Sequence, residues 1–416
     1  MKLSTYYDKK NFDNQKLLIS TIIIVALIIR IPIIHFFGDL RLENEWLILV
    51  NNLANHGEFA FRSFGDFYIP NLFMPPLYIW FLYIFKLLNL SNENYLHLIL
   101  YSQAILASIS LATFYFICKK FFSNNLSLFL TTLFCFFPSY VYACSQISSI
   151  TLYIFLITLF LFFILKIPYE LNNKYIFYLG LTSGLLILLR GEFILLFIFS
   201  LIYLFFFYES VKLKKIILTL FIASIVLSPY LYRNLIELNT LSITKSIGFN
   251  LWKGNNPKSN VEGDLKRIVN EYGPIGFEGD LKEKIINLKI DKYYDANLDN
   301  LFLNEAIKNI KSEPKRYVGL YIKKIISFLF FDLNSSIKNY YHPLYFLPLI
   351  MISISSLIGM LISIKHSKDL NLITLMYLSN IFVFSFFFIL PRFNLIILPM
   401  QIILTGKLIN KLFKKF

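Results

Sequence analysis

Three carboxylates follow the first apolar run of the chain: Asp39, Glu43 and Glu45. A carboxylate beside a bound hydroxyl group can act as a general base. On a helix, residues two positions apart diverge by about 200°, so Glu43 and Glu45 cannot both face one site. We therefore expect one of them to point at a site and the other at solvent. An ordinary solvated loop is the alternative.

Four arginines lie within or beside apolar runs, where a charged side chain is costly. Arg233 and Arg392 end apolar runs, and Arg190 lies with Glu192 in a long apolar stretch, either as a tight turn or as an intramembrane pair. Arg30 lies near the end of the first run, from where its side chain could snorkel towards the interface. Arginine also matches phosphate oxygens with two parallel donors, so Arg190, Arg233 and Arg392 are candidate phosphate ligands.

Cationic groups at headgroup depth next to an apolar interior suit a ligand that combines a lipid tail with a phosphate. The sequence contains neither a Walker loop nor a Gly-x-Gly-x-x-Gly motif, and no cytosolic segment is large enough for a nucleotide-sugar domain. The activated substrate is therefore expected to arrive within the membrane or from its external side.

Composition places these residues in an all-α polytopic membrane protein. Hydrophobic residues make up 57% of the 416 positions and charged residues only 16%, against about 45–50% and about 25% in soluble domains. The net charge of +15 is concentrated in lysines that flank apolar runs, which is the pattern of cytoplasmic membrane loops. Nucleic-acid binding is therefore not expected. The three cysteines have no metal-ligand spacing, and no metal site is assigned.

The apolar runs predict about ten transmembrane helices. A further run, 72–90, contains two prolines and ends in a lysine. If it crossed, three basic loops would lie outside, so we expect it to lie in the interface or to re-enter. Both termini are then cytoplasmic.

The external regions are a first loop over 38–94 with amphipathic helices and a small cap over 233–342, so the chain divides into 1–232, 233–342 and 343–416. The predicted spans are 17–37, 95–118, 126–143, 148–165, 175–190, 192–208, 215–232, 343–364, 371–390 and 394–409.

Three passages resemble the dolichyl-phosphate-mannose protein mannosyltransferase superfamily, which are membrane glycosyltransferases of class C fold. The first is Glu43-Asn-Glu-Trp46 with a helix-like stretch that ends at Gly57, followed by Pro75-Pro-Leu-Tyr78. The second joins Ser228-Pro-Tyr-Leu-Tyr-Arg-Asn234 to Gly248-Phe-Asn-Leu-Trp-Lys-Gly-Asn-Asn-Pro257, and it is the most specific. The third is Pro391-Arg-Phe-Asn-Leu395 with Pro399.

The resemblance implies inverting transfer of a sugar from a polyprenyl-phosphate donor on the external, periplasmic face of an inner membrane. The acceptor would be a lipid, a glycan or a protein. The general base would be Glu43 or, in its place, Glu45 or Asp39, since family members usually carry an aspartate in this passage. Relatives often carry an acidic residue in the stretch that matches 145–151, where this chain has Gln146. A divalent metal is therefore left open. The phosphate ligands would be Arg190, Arg233 and Arg392, and the substrate-binding residues would be Tyr78, Asn234, Asn255 and Asn256.

Two other functions fit the same composition. A transporter or flippase of lipid-linked saccharide would favour polar residues at mid-membrane and internal repeats, and this sequence has few of the former and no evident repeat. An inactive membrane scaffold is the third reading, suggested by the missing second acid. The glycosyltransferase alone accounts for the external cap, the arginines and the missing nucleotide site together.

Overall fold

The computed structural model describes residues 2–42, 44–170, 172–264, 266–270, 273–336, 341–363 and 367–413. Within them the chain is helical, with two short antiparallel hairpins. The helices are α1 Lys2–Phe37, α2 Asn44–His56, α3 Pro76–Lys86, α4 Asn92–Lys119, α5 Asn124–Cys135, α6 Pro138–Ala143, α7 Ile150–Lys166, α8 Lys174–Leu189, α9 Phe193–Phe207, α10 Leu213–Leu238, α11 Ile247–Gly254, α12 Gly279–Ile286, α13 Tyr294–Ser312, α14 Pro314–Leu329, α15 Pro343–Ser363, α16 Lys368–Ser385 and α17 Asn394–Phe413. The strands are β1 Ala60–Phe64, β2 Phe67–Pro70, β3 Ile268–Asn270 and β4 Gly273–Ile275.

Several helices are long and apolar enough to cross a bilayer, and the prediction of an all-α polytopic membrane protein is confirmed. In the described part, five segments meet this criterion by length and composition: Leu17–Phe37, Asn92–Lys119, Leu213–Leu238, Pro343–Ser363 and Pro391–Phe413. The apolar helices α3, α7, α8 and α9 are shorter. Most predicted spans correspond to one helix each, with ends that differ by a few residues.

The predicted span 126–143 is not one helix. It is divided into α5 and α6, because Pro138 occupies the first turn of α6 and Phe137 before it is extended, with ψ of 114°. Proline has no backbone N–H to donate and disfavours helical geometry in the residue before it. The chain therefore breaks within the membrane-spanning region.

Arg30 fills this break instead of snorkelling to the interface. Its side chain is fully buried, and its Nη2 donates to the Cys135 carbonyl at 3.5 Å. The guanidinium also lies 5.1 Å from the centre of the Tyr140 ring. Because the last carbonyls of a helix have no partner within it, a donor from α1 stabilises the end of α5. Snorkelling, which the sequence allowed, is therefore not observed.

The segment between the first two long helices begins and ends at one face of the bundle. A Cβ on Gly38, just after α1, would lie 3.1 Å from Leu100 near the start of α4. Between them, α3 has only 11 residues and rises about 16 Å, short of a hydrocarbon core of about 30 Å. This geometry agrees with a run 72–90 that does not cross.

Close helix packing in the bundle depends on a pair of glycines. A Cβ on Gly180 would lie 2.7 Å from the Ile222 Cβ, and one on Gly184 would lie 2.6 Å from the Val226 Cβ. This Gly-x-x-x-Gly spacing on α8 lets α10 approach closely, as small residues do between membrane helices. A larger residue at either position would therefore force α8 and α10 apart.

The region between α10 and α15 has a small apolar core of its own. Trp252, Phe277 and Phe302 stack within it, and Ile69 of the β1–β2 hairpin packs against them. A buried ion pair joins Arg62 of β1 to Asp295 of α13. The sequence analysis anticipated helices in the first loop but missed this hairpin, which ties the first loop to the predicted cap.

Candidate functional site

The first loop carries Glu45 at the start of α2. Glu45 lies in the first turn of this helix and is half-buried. The helix ends at His56, and Gly57 follows with a φ of +71°, as its place at the end of the helix-like stretch predicted. Glu43 lies outside the described residues. Of the two glutamates, only Glu45 can be placed here.

Glu45 lies close enough to Lys253, a lysine of the cap, to influence its charge. Lys253 is half-buried on α11, and burial lowers its pKa, as does the nearby Arg392. The charges of Glu45 and Asp264 act in the opposite direction. The Lys253 Nζ lies 4.9 Å from the centre of the Phe388 ring. Lys253 is therefore within electrostatic reach of Glu45, Asp264 and Arg392.

The helix that carries Lys253 is held at both ends. At its start, the Asp299 carboxylate accepts the Phe249 N–H at 2.9 Å. At its end, the Lys253 carbonyl accepts the Asp264 N–H at 2.9 Å and the Ser259 hydroxyl at 2.9 Å. These bonds fix the backbone of Lys253, so its ammonium group is presented from a rigid support.

A fully buried lysine completes this support. The Lys324 Nζ donates to the Gly254 carbonyl at 2.8 Å and to the Asn255 Oδ1 at 3.1 Å. Burial lowers the pKa of Lys324 from 10.5 to about 7. A neutral amine has two N–H groups, enough for both acceptors. The helix α14 is amphipathic, and Lys324 lies on its buried face.

Replacing Lys324 with Met should remove a pH-dependent part of the stability. Because the unfolded chain holds the lysine proton up to pH 10.5 and the folded chain only to about 7, Lys324 makes folding more favourable as pH rises between these values. The slope is at most about 1.4 kcal/mol per pH unit. We expect the melting temperature of the wild type, relative to Lys324→Met, to increase from pH 7 to 9 in detergent. Lys323→Met, at an exposed neighbour, is the control and should show no such trend.

Asp39 lies in a second part of the same face. Its N–H donates to the Ser145 carbonyl at 2.8 Å, and the Gln146 side chain donates to the Phe37 carbonyl at 3.3 Å. This brings the first loop against the stretch 145–151. The described residues contain no group of three or more His, Cys, Asp or Glu side chains placed to hold a metal. Near Asp39, the amide side chain of Gln146 occupies the stretch in which the resemblance implies a second acidic residue.

Arg190 and Arg392 both lie near one aromatic ring, that of Phe393. The guanidinium carbon of Arg190 is 5.2 Å from the centre of Phe393, and that of Arg392 is 6.0 Å from it. Arg190 forms the tight turn between α8 and α9 and donates to Glu192 at 2.7 Å. The predicted tight turn is therefore observed, and its two charged residues pair with each other. Two of the three predicted phosphate ligands thus converge.

Arg233 makes a different set of contacts. Its guanidinium donates to the carbonyls of Asn71 at 3.1 Å and Phe59 at 3.3 Å, and it pairs with Glu237 at 2.7 Å. It also donates to the Asn234 Oδ1 at 2.9 Å. Arg233 therefore holds the hairpin segment of the first loop against α10. Its role as a phosphate ligand stays a prediction.

The four predicted substrate-binding residues are buried and bonded within the protein. Tyr78 donates to the Gln103 Oε1 at 3.0 Å, and Asn234 donates to the Ser242 carbonyl at 2.8 Å. Asn255 donates to the carbonyls of Leu251 and Phe386, and Asn256 donates to that of Trp252. These bonds position the backbone around Lys253 and the first loop, and substrate contact by these side chains stays a prediction.

The roles of four residues were not predicted from the sequence: Lys253, Asp264, Lys324 and Arg62. Lys253 could have been found, because it is the charged side chain within the stretch 248–257 of the most family-like passage. Asp264 and Lys324 gave no such signal, since each lies in a stretch with several charged residues and becomes buried only through tertiary packing.

Comparison with known proteins supports the resemblance. Residues 74–232 match the family described as dolichyl-phosphate-mannose-protein mannosyltransferase. No curated protein sequence matches the chain. Among solved structures, the Archaeoglobus fulgidus oligosaccharyltransferase, crystallised with zinc and sulfate, aligns over 95% of this chain with a TM-score of 0.53 and 14% identity. The chain spans about half of that protein, since the alignment covers 49% of it.

Two structures of ArnT from Cupriavidus metallidurans are also similar. The form bound to undecaprenyl phosphate aligns over 96% of this chain and 78% of its own, with 12% identity and a TM-score of 0.40. The apo form aligns over 95% and 78%, with 12% identity and a TM-score of 0.39. The likeness to the archaeal enzyme shows the class C fold, so the predicted fold is confirmed, and the family match supports the resemblance over residues 74–232.

Proposed function

This chain is a multi-pass membrane protein of the class C glycosyltransferase fold, similar to the dolichyl-phosphate-mannose protein mannosyltransferases over residues 74–232, and we propose that it transfers a sugar from a polyprenyl-phosphate donor. The observation that carries the proposal is that Glu45 and Arg392 both lie close enough to the half-buried Lys253 to influence its charge. A carboxylate and two cations at the ends of apolar helices suit an acceptor hydroxyl and a lipid phosphate at the same time.

The proposed reaction is a single displacement at the sugar C1. The acceptor hydroxyl oxygen attacks C1, its proton passes to a first-loop carboxylate, and the bond from C1 to the phosphate oxygen breaks with inversion. Polyprenyl phosphate leaves with an additional negative charge. Glu45 is the base that the described geometry favours, with Glu43 and Asp39 as the alternatives in the same loop.

The leaving phosphate would be stabilised by cations from the cap and from the bundle. Lys253 and Arg392 lie close enough to influence each other's charge, and Arg190 lies beside the same Phe393 ring as Arg392. Fixed cations placed where negative charge develops lower the barrier without reorganising in the reaction. The partly dehydrated ammonium of Lys253 strengthens this interaction.

We further propose that this face is external and that both termini are cytoplasmic, because the basic loops then lie inside. The polyprenyl tail would lie along the apolar helices next to the site. The acceptor would be a lipid, a glycan or a protein that reaches the external face. No step of the proposed reaction is routed through a metal, since the neighbourhood of Asp39 offers Gln146 in place of a second acid.

The proposal is tested with purified full-length protein and a panel of radiolabelled polyprenyl-phosphate sugars. Release of polyprenyl phosphate, with the label moved to water or to an added acceptor, is the expected result. Glu58→Gln, an exposed carboxylate of the same loop, is the matched control and should keep this activity. Movement of the intact lipid-linked sugar between leaflets of a vesicle, without cleavage of the phosphate bond, would instead establish a flippase.

Arg392→Lys should weaken use of the donor without loss of the fold. Lysine keeps the charge but not the two parallel donors, and a lost charge-assisted hydrogen bond costs about 1.5–3 kcal/mol, or ten- to a hundred-fold. The measurement is the donor concentration at half-maximal transfer, with melting temperature measured on the same preparation. Unchanged donor dependence would show that Arg392 only reaches the headgroups.

Arg233→Lys is the companion variant. Because Arg233 holds two carbonyls of the first loop, we expect a lower melting temperature with little change in donor dependence. A loss of donor affinity of about tenfold at unchanged melting temperature would return Arg233 to the phosphate site.

A further inference from the structure

A cavity of about 320 Å³ lies at the end of the bundle away from the candidate site. It lies between the last turns of α4 and α7, with Tyr169 beyond α7. Along α4, Lys119 is 16 residues past Gln103, which bonds to the loop beside Asp39, so about 24 Å of helix separates the two ends. The volume falls in the range of small-molecule sites, about 300–1,000 Å³.

The walls of this cavity combine cations with aromatic rings. Lys119, Lys120 and Lys166 contribute ammonium groups, while Phe116 and Phe162 contribute rings. The side chain of Phe116 is 36% exposed on the outer surface of its helix. Lysines and aromatic rings at the end of membrane helices mark the depth of lipid headgroups. The cavity therefore opens where a headgroup meets its acyl chains.

The three lysines differ in how firmly they are engaged. Lys120 is held by Asp369 at 3.1 Å and by the Leu165 carbonyl, so it belongs to the structure of this end. Lys166 pairs with Glu170 at 3.6 Å, and both side chains are about 40% exposed, so this pair is weak. Lys119 lies over the Tyr115 ring, and none of the ion pairs among the described residues includes it. Lys119 and Lys166 are thus available to an anion.

We propose that this cavity binds the phosphate headgroup of an anionic phospholipid, with an acyl chain against Phe116 and Phe162. Basic pockets between membrane helices recognise anionic headgroups, and each lysine near the surface contributes about fivefold in affinity. The site is separate from the proposed glycosyl transfer and lies at the opposite membrane face. Its occupant would bridge α4 and α7, which have no direct ion pair between them among the described residues at this end.

The test uses a tryptophan reporter in the cavity. Purified Phe162→Trp protein in detergent is titrated with brominated phosphatidylglycerol or brominated phosphatidylcholine, and quenching by the unsubstituted parent is subtracted. We expect phosphatidylglycerol to be preferred by fivefold or more, on the order of one to two lysine contributions. Phe116→Trp is the second reporter if the first does not fold. Equal quenching by the two lipids would overturn the proposal.

Two further arms assign the preference to the cavity. Adding Lys119→Gln and Lys166→Gln to the reporter should abolish the preference, whereas Lys174→Gln, an exposed lysine of the same end that does not line the cavity, should preserve it. A preference that survives the double substitution would place recognition elsewhere. Inorganic phosphate should not relieve the quenching; if it does, the site takes a free anion and not a lipid.

Discussion

Glu45→Gln is expected to lower turnover by 10²–10⁴-fold while leaving donor binding nearly unchanged. The amide keeps the size and polarity of the side chain but cannot accept the proton of the acceptor hydroxyl. Glu45 is half-buried at the start of α2 and close enough to influence the charge of Lys253. The measurement is single-turnover transfer at saturating donor, with donor affinity determined separately.

Glu43→Gln and Asp39→Asn form the matched set in the same loop. If Glu45 is the base, the loss should be greatest in Glu45→Gln, and Asp39→Asn should keep measurable turnover, because the Asp39 backbone bond to Ser145 remains. Wild-type turnover in Glu45→Gln together with a large loss in Glu43→Gln would move the base to Glu43. Full activity in all three would remove the first loop from the chemistry.

Gly254→Ala should disrupt the site by displacing the backbone that carries its side chains. A Cβ on Gly254 would lie 2.3 Å from the Phe387 carbonyl oxygen and 2.5 Å from its carbon, so one of the two chains must move. These chains carry Lys253 and the Phe388 ring against which it lies. Overpacking of this kind costs about 1–3 kcal/mol or more, and a displacement of about 1 Å at a site can cost 10²-fold in rate. We expect a lower melting temperature and transfer reduced by about a hundredfold.

Gly319→Ala is the control for this substitution. Gly319 lies in α14, and a Cβ there would meet no atom within 4 Å. Alanine is favoured over glycine in a helix by about 0.8–1 kcal/mol, so stability should be kept or raised and transfer unchanged. Wild-type activity in Gly254→Ala, or equal losses in the two variants, would contradict the proposed role of the 254–387 contact.

The sequence specified the bundle better than the site. Long apolar runs define membrane helices because hydrocarbon requires every backbone group to be paired within its segment. Charge placement likewise predicts that 72–90 does not cross the membrane; the shortness of α3 agrees with this, and it stays a prediction. The prediction that the arginines bind phosphate could not be decided from the sequence, because an arginine at a helix end can contact a ligand, a backbone carbonyl or solvent. Arg30 and Arg233 donate to backbone carbonyls, whereas Arg190 and Arg392 both lie near the Phe393 ring.

The missed residues depend on contacts between distant parts of the chain. Nothing near Lys324 in the sequence shows that it is buried under Gly254, and nothing near Arg62 shows its pairing with Asp295. Local periodicity carries information about one element at a time. The hairpin of the first loop was missed for the same reason, since its ring contacts lie in the cap.

The pairing of Arg62 with Asp295 also bears on how the protein is made. The two residues are 233 positions apart in the chain. At a synthesis rate of about 5–20 residues per second, Arg62 emerges about 10–50 s before its partner exists. During that interval the hairpin has neither its counter-ion nor the ring of Tyr294 against Phe64. The nascent first loop therefore lacks these contacts, and is accessible to proteases and chaperones, until the residues of the cap have been synthesised.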